Sequence, residues 1–320
     1  MAVGSGLTCV CDAAGVVECW GSRGERKPNP LTRARPRRIT APPCKALVAG
    51  SSYACALSRG GAVHCWGQSA ARFAWLAEAT VLPPEGRHGN DEWHDDSVPI
   101  EGLSGVRALR GGERHACAIT ADAALRCWGA NHVGQLSDGA MRRGLVAVPL
   151  EHVLDAAAGS EHTCASTARG IFCWGIDPAV GCRVRHLELM FFERCRRATP
   201  TQMSGPARGE HLRAGFDRTC MLSDAGDLAC WGLPWGQTRR PPVLAREPTV
   251  DGRGVVTFDI EGDSGCLLNE QGEVRCWGPI LGAWRLAQDP QYQVPDELLS
   301  PPGAVVLEIH GDRVEPRELP

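Results

Sequence analysis

The sequence predicts an all-β fold, a β-propeller of about six blades with seven as the alternative count. Three observations carry that prediction. One tripeptide recurs six times at a near-constant interval, a second cysteine stands at a set distance before each copy, and two-residue alternation fills the space between them. Cys-Trp-Gly begins at Cys19, Cys65, Cys127, Cys173, Cys230 and Cys276, at intervals of 46, 62, 46, 57 and 46 residues. A base period of 46 is therefore stretched twice. The long intervals read as loop insertions, at about 68–98 and 176–205, in a single domain covering residues 1–320.

The upstream cysteines are Cys9, Cys55, Cys117, Cys164, Cys220 and Cys266. The second copy, CALSRGGAVHCWG, alternates around Gly60-Gly61, a hairpin signal that sets Cys55 opposite Cys65. In the fourth copy the turn is one residue shorter, yet Cys164 still faces Cys173. Conserving the pairing while changing the turn is what a cross-strand disulfide demands, because opposed strand residues bring Cβ atoms within bonding range. The expected pairs are Cys9–Cys19, Cys55–Cys65, Cys117–Cys127, Cys164–Cys173, Cys220–Cys230 and Cys266–Cys276. Cys182–Cys195 would tie the second insertion. Cys11 and Cys44 stand in slots held elsewhere by Leu57 or Val106, and two readings stay open for them: buried thiols, or a pair with each other. Zinc is disfavoured, since structural sites bring ligands in pairs two to four residues apart, and only Cys9 and Cys11 are that close.

A further strand-like segment ending in glycine precedes each hairpin: KALVAG before Ser51, VRALRGG before Glu113, VLDAAAG before Ser160, HLRAG before Phe216, and VVTFDIEG ending at Gly262. Each unit is thus strand, bend, strand, turn, strand, then a Pro-containing loop with room for an outer strand. The turn density and two-residue period exclude helical solenoids. The first unit has only MAVGSG in front of its hairpin, while residues 303–312, GAVVLEIHGD, copy an upstream strand at the other end. The expectation is that this C-terminal strand completes the first blade and closes the ring.

Net charge is −3, which gives no general attraction to nucleic acid. Arginine runs at 33–38 and 194–197 lack interleaved aromatics and read as solvated loops. No window approaches ~18 consecutive apolar residues, the length of a membrane-spanning helix, and no basic-then-apolar leader opens the chain. Cysteine pairs persist in oxidising compartments, so the expected location is extracellular, periplasmic or cell-surface.

The third and fourth units, GLSGVRALRGGERHACAITADAALRCWGANHVGQLSDGA and VLDAAAGSEHTCASTARGIFCWG, resemble the regulator of chromosome condensation repeat in its Cys-containing bacterial form. His115 and His162 fill that repeat's His slot, and Asn131, Gly134, Gln135 and Leu136 its Asn-x-x-Gly-Gln-Leu signature. The resemblance implies a propeller, usually of seven blades. Its members range from an exchange factor for a small nuclear GTPase to a secreted inhibitor of β-lactamase. The signature has decayed in the other units, and Tyr53, Arg218 and Ser264 replace the histidine.

Several conspicuous residues have structural roles that account for them. The six repeated tryptophans read as packing between blades, and His115 and His162 as structural hydrogen-bonding groups. The run RHGNDEWHDDS, residues 87–97, lacks calcium-loop spacing and reads as a solvated loop. Phe73, Trp75 and Trp93 in the first insertion, with Phe191 and Phe192 in the second, are the candidate partner contacts. No phosphate-cradling loop, hydrolase elbow or zinc-protease helix occurs. The expected function is non-catalytic: a monomeric protein-binding or scaffold propeller presenting loops on one face, with no cofactor or metal, no nucleic acid and another protein as partner. The alternatives are a propeller lyase or hydrolase with a site at the central channel, and an exchange factor-like regulator.

Overall fold

The computed structural model describes residues 1–4, 7–21, 36–67, 94–138, 144–176, 196–204, 209, 211–216, 218–232, 249–262, 264–277, 305–310 and 313–317. All regular structure among them is β, arranged as six antiparallel sheets in chain order. Blade one holds β1 (Ala2–Gly4), β2 (Leu7–Cys11), β3 (Val17–Gly21) and β4 (Arg37–Ile39). Blade two holds β5 (Cys44–Ala49), β6 (Tyr53–Ser58), β7 (Val63–Gly67) and β8 (His94–Pro99). Blade three holds β9 (Val106–Gly111), β10 (His115–Thr120), β11 (Leu125–Gly129) and β12 (Val146–Ala147). Blade four holds β13 (Val153–Ala158), β14 (His162–Thr167), β15 (Gly170–Ile176) and β16 (Arg196–Gln202). Blade five holds β17 (His211–Ala214), β18 (Arg218–Leu222), β19 (Leu228–Gly232) and β20 (Thr249–Gly252). Blade six holds β21 (Val255–Glu261), β22 (Ser264–Asn269), β23 (Val274–Trp277), β24 (Val305–His310) and β25 (Arg313–Arg317). The segments 94–99 and 196–202, at the ends of the two expected insertions, are fourth strands of their blades.

Within each blade the hairpin register places the two cysteines opposite each other, Cys9 with Cys19 through Cys266 with Cys276. Disulfides join the pairs in blades one to five across Cα separations of 4.0–4.2 Å, and Cys266 is also disulfide-bonded. Cys11 and Cys44 are joined as well, at a Cα separation of 6.3 Å. That bond links the end of β2 to the start of β5, and so ties blade one to blade two. Cys182 and Cys195 lie outside the described residues.

Three patterns recur where one blade meets the next. First, the tryptophan of Cys-Trp-Gly packs on the preceding blade: Trp66 with Cys9 and Cys19, Trp128 with Cys55 and Cys65, Trp174 with Cys117 and Cys127, Trp231 with Cys164 and Cys173. These four tryptophans are at most 1% exposed. Second, the hairpin turn offers a carbonyl to the first N–H of the following inner strand: Gly15 to Cys44, Gly61 to Val106, Ala123 to Val153, Gly226 to Val255, at 2.9–3.1 Å. Third, glycines line the axis. A Cβ built on Gly4, Gly50, Gly112, Gly159 or Gly215 would stand 2.7 Å or less from the carbonyl oxygen of Gly50, Gly112, Gly159, Gly215 or Gly262 respectively. The glycine that ends each inner strand is therefore required by the backbone of its neighbour.

The C-terminal strand does not complete the first blade. β24 pairs with β23, Val305 opposite Cys276, and extends the sixth sheet outward. The edge of β2 is already taken by β1, with Ala2 opposite Cys9 and Gly4 opposite Leu7. Three residues in front of the hairpin suffice to occupy the hydrogen-bonding groups that a closing strand would have needed.

Candidate interaction face

Antiparallel strands fix which connections share a side. In each four-strand meander, the bend after the first strand and the connection after the third leave from the same end. Every Cys-Trp-Gly motif ends a third strand, so both expected insertions emerge on the side of the bends at 50–53, 112–115, 159–162 and 215–218. The opposite side carries the short hairpin turns, such as 59–62 and 121–124. The two sides can be called the loop face and the turn face.

On the loop face the His slot is structural. The Tyr53 hydroxyl lies 2.9 Å from the Gly112 carbonyl oxygen and 2.6 Å from that of His115, in the next blade. His115 Nε2 is 2.8 Å from Thr163 Oγ1, and His162 Nε2 is 2.7 Å from Thr219 Oγ1, each one blade further on. Thr163 gives its own proton to the Gln135 carbonyl at 2.8 Å. Its oxygen must then accept, which places the imidazole proton of His115 on Nε2. Burial, and then the charges of His162 and His132, lower the pKa of His115 to about 3. A fully enclosed imidazole of that kind is a hydrogen-bond donor, not a base for chemistry at neutral pH.

The Asn-x-x-Gly-Gln-Leu segment is equally structural. Leu136 N donates to Asn131 Oδ1 at 3.0 Å, and the Gln135 carbonyl also receives Trp174 Nε1 at 2.8 Å. The loop thus locks blade three onto blade four. Its exposed member, His132, reaches Glu161 with Nε2 2.9 Å from Oε1. Nearer the axis Ser160 donates to Glu113.

Among the described residues the ends of the inner strands enclose a small cavity at the axis. Bounded by Gly50, Gly112, Gly159, Gly215, Gly262 and their neighbours, it holds about 30 Å³, room for one or two waters. Among the described residues, no group of three or more His, Cys, Asp or Glu side chains is placed to hold a metal, and no helix is long and apolar enough to cross a membrane. Phe73, Trp75, Trp93, Phe191 and Phe192 lie outside the described residues.

One buried group has no counterpart in the sequence reading. Asp155, 2% exposed, lies between blades three, four and five. Its Oδ1 accepts Arg110 Nε at 2.9 Å and Nη2 at 2.6 Å, and its Oδ2 accepts Leu212 N at 3.0 Å. Arg213 Nη1 stands 3.9 Å away and Arg213 Nε is 3.4 Å from Asp259. The partners are 45 and 57 residues apart, and only the repeat, read as stacked inner strands, would have brought them together.

Comparison with known proteins agrees with this geometry. Residues 106–135 match the family model of the regulator of chromosome condensation (RCC1) repeat, the stretch from the inner strand of blade three to its Gly-Gln signature. The ultraviolet-B receptor UVR8 of Arabidopsis thaliana is 28% identical over 155 residues. That match takes in 45% of this chain and 34% of the receptor, so it spans about a third of the relative's length. Among solved structures, Prp20p of Saccharomyces cerevisiae superposes with a TM-score of 0.65 at 19% identity, over 87% of this chain and 71% of that one. Human WBSCR16 gives 0.66 at 15% identity, over 87% and 76%. These two likenesses speak for the fold. Residues 106–135 thus resemble the regulator of chromosome condensation repeat, within a chain that shares the propeller fold of these structures.

Proposed function

We propose that this chain is a non-catalytic, protein-binding propeller whose partner docks on the loop face. The single observation that carries the reading is the sorting of connections: long segments leave one side of the ring and tight turns the other. The small cavity found at the axis among the described residues supports it, because a channel enzyme needs a larger cavity for its substrate. Structures of the same fold serve protein partners; Prp20p is described with its binding to Gsp1p and histones, and with Kap60 bound. An exchange factor-like role is compatible with that likeness, but the cysteine pairs favour a partner met in an oxidising compartment, so the reading includes an extracellular, periplasmic or cell-surface location.

A photo-crosslinking amino acid placed at His132 or Glu161 on the loop face, and at Asp122 or Arg169 on the turn face, tests the reading in the native host. A discrete protein adduct from the first pair and none from the second is expected. Adducts confined to the turn face would reverse the assignment. Counting thiols on unreduced protein from its native compartment tests the location: few or none free is expected, and sixteen free would point to a reducing compartment.

A further inference from the structure

Contacts of the kind that join neighbouring blades end at the outer side of blade six. The turn glycines Gly15, Gly61 and Gly226 lie against the following blade, but a Cβ built on Gly272, their counterpart, meets nothing within 4 Å. Cys9, Cys55, Cys117, Cys164 and Cys220 are fully buried, whereas Cys266 in the same slot is exposed. Val256 is 53% exposed, and the Asp259 side chain 85%. Across the ring's other end Trp20 is only half-buried and Val3 is 47% exposed. Blade six thus presents an inner strand and a cystine built to be covered.

The chain carries a segment of matching form. Residues 254–263 read GVVTFDIEGD and residues 303–312 read GAVVLEIHGD, without a gap. The hairpins agree as well: Glu261 pairs with Ser264 and Ile260 with Gly265, as His310 pairs with Arg313 and Ile309 with Val314. By pattern and register the β24–β25 hairpin is an inner hairpin, yet it lies on the outer edge of β23, held by three residue pairs.

We propose that the β24–β25 hairpin has a second position, in which β24 leaves β23 and lies over the open side of blade six as the inner strand of an incomplete seventh blade. The outer position engages only Val274 with Leu307, Arg275 with Val306 and Cys276 with Val305, so few ladder bonds are given up. In return the strand covers Val256 and the cystine of Cys266, and offers its first N–H to the waiting carbonyl of Gly272. Apolar burial drives the exchange and the hairpin carries its own hydrogen bonds with it. The hairpin acts as a strap whose position sets whether blade six presents an open face.

Paired cysteines read the two positions. At the interface of blades five and six a Cβ on Gly215 would lie 3.0 Å from Ile260 Cγ2. One blade on, the corresponding pair is Glu261 and Ile309. Under mild oxidation E261C/I309C is expected to cross-link at least tenfold above the mismatched pair G272C/I309C, as mapped by mass spectrometry of unreduced peptides. V274C/L307C reports the outer position. A cross-link in that pair alone, or in neither pair, overturns the proposal. As a second readout, Val256→Cys should be alkylated several-fold more slowly in the full chain than in a chain ending at Ser300, and equal rates also overturn it. If the shortened chain does not fold, the cross-links decide.

Discussion

Asp155→Ala is the sharpest test of how the blades are held together. The carboxylate is 2% exposed and joins three blades through Arg110 and the backbone N–H of Leu212, a residue with no exposed surface. Removing it leaves the Leu212 N–H unpaired in the interior, a loss of about 1–3 kcal/mol. The Arg110 guanidinium loses both short contacts, but its side chain is 29% exposed and recovers part of its hydration. Breaking a fully buried ion pair costs about 3–5 kcal/mol, and the partial exposure of Arg110 puts the expected loss in the lower part of that range, about 3 kcal/mol. Asp155→Asn keeps an oxygen for Leu212 and should lose roughly half as much, since only the charge-assisted part of the bond to Arg110 disappears. Urea unfolding with disulfides intact measures both, as a shift in midpoint at constant slope. A loss under 1 kcal/mol for Asp155→Ala, or an Asn variant no better than Ala, would refute the view that this carboxylate organises the three-blade junction.

Three further outcomes follow from the same geometry. His115 is neutral in the fold with a pKa near 3, below its ordinary 6.5; the unfolded chain takes up the proton first, so stability is full above about pH 6.5 and falls toward pH 3 by up to about 1.4 kcal/mol per unit. His115→Gln should flatten that slope in urea titrations between pH 4 and 6.5, and an unchanged slope would remove His115 as its source. The Cys11–Cys44 bond closes 33 residues between two blades, worth about 4 kcal/mol in the chain-entropy model; the double Ser variant should unfold at correspondingly lower urea, and a loss under 1 kcal/mol would show the crosslink is not what holds blade one. Ala123 adopts φ 62° in a turn where other blades place glycine, so Ala123→Gly should raise stability by roughly 0.5–1 kcal/mol, whereas a loss would mean that the Ala methyl packs usefully.

The blade pattern was legible because each blade repeats it. Alternation around paired turn residues and the recurring cysteines give hairpin and register together, and the Cys55–Cys65 facing follows from counting back from Gly60. The segments ending in Gly50, Gly112 and Gly159 were visible as strands, but the reason for the glycine was not: it lies in a carbonyl of the next blade, 47 to 62 residues away. Gly4 escaped notice because its strand is only three residues long. Residues 303–312 show why a pattern names a kind of strand without naming its edge: their sequence is that of an inner strand, while β24 pairs with the edge of β23. Arg110 and Asp155 look like ordinary surface charges in sequence, since opposite charges that far apart meet only when inner strands are stacked. Cys11 and Cys44 stayed ambiguous because a small apolar slot suits a thiol and half a cystine alike.

The tryptophan rule has a chemical consequence. Each of the four buried indoles packs with the sulfur bridge of the blade before it, as Trp128 does with Cys55–Cys65 and Trp174 with Cys117–Cys127. Thiol–disulfide exchange needs an attacking thiolate to approach along the sulfur–sulfur axis, so the resistance of each bridge to reductants is a property of its neighbour. Damage to one blade would then pass in a single direction, unmasking the bridge behind it while leaving the one ahead sealed. The ring has a polarity in its chemistry that its nearly uniform repeat conceals.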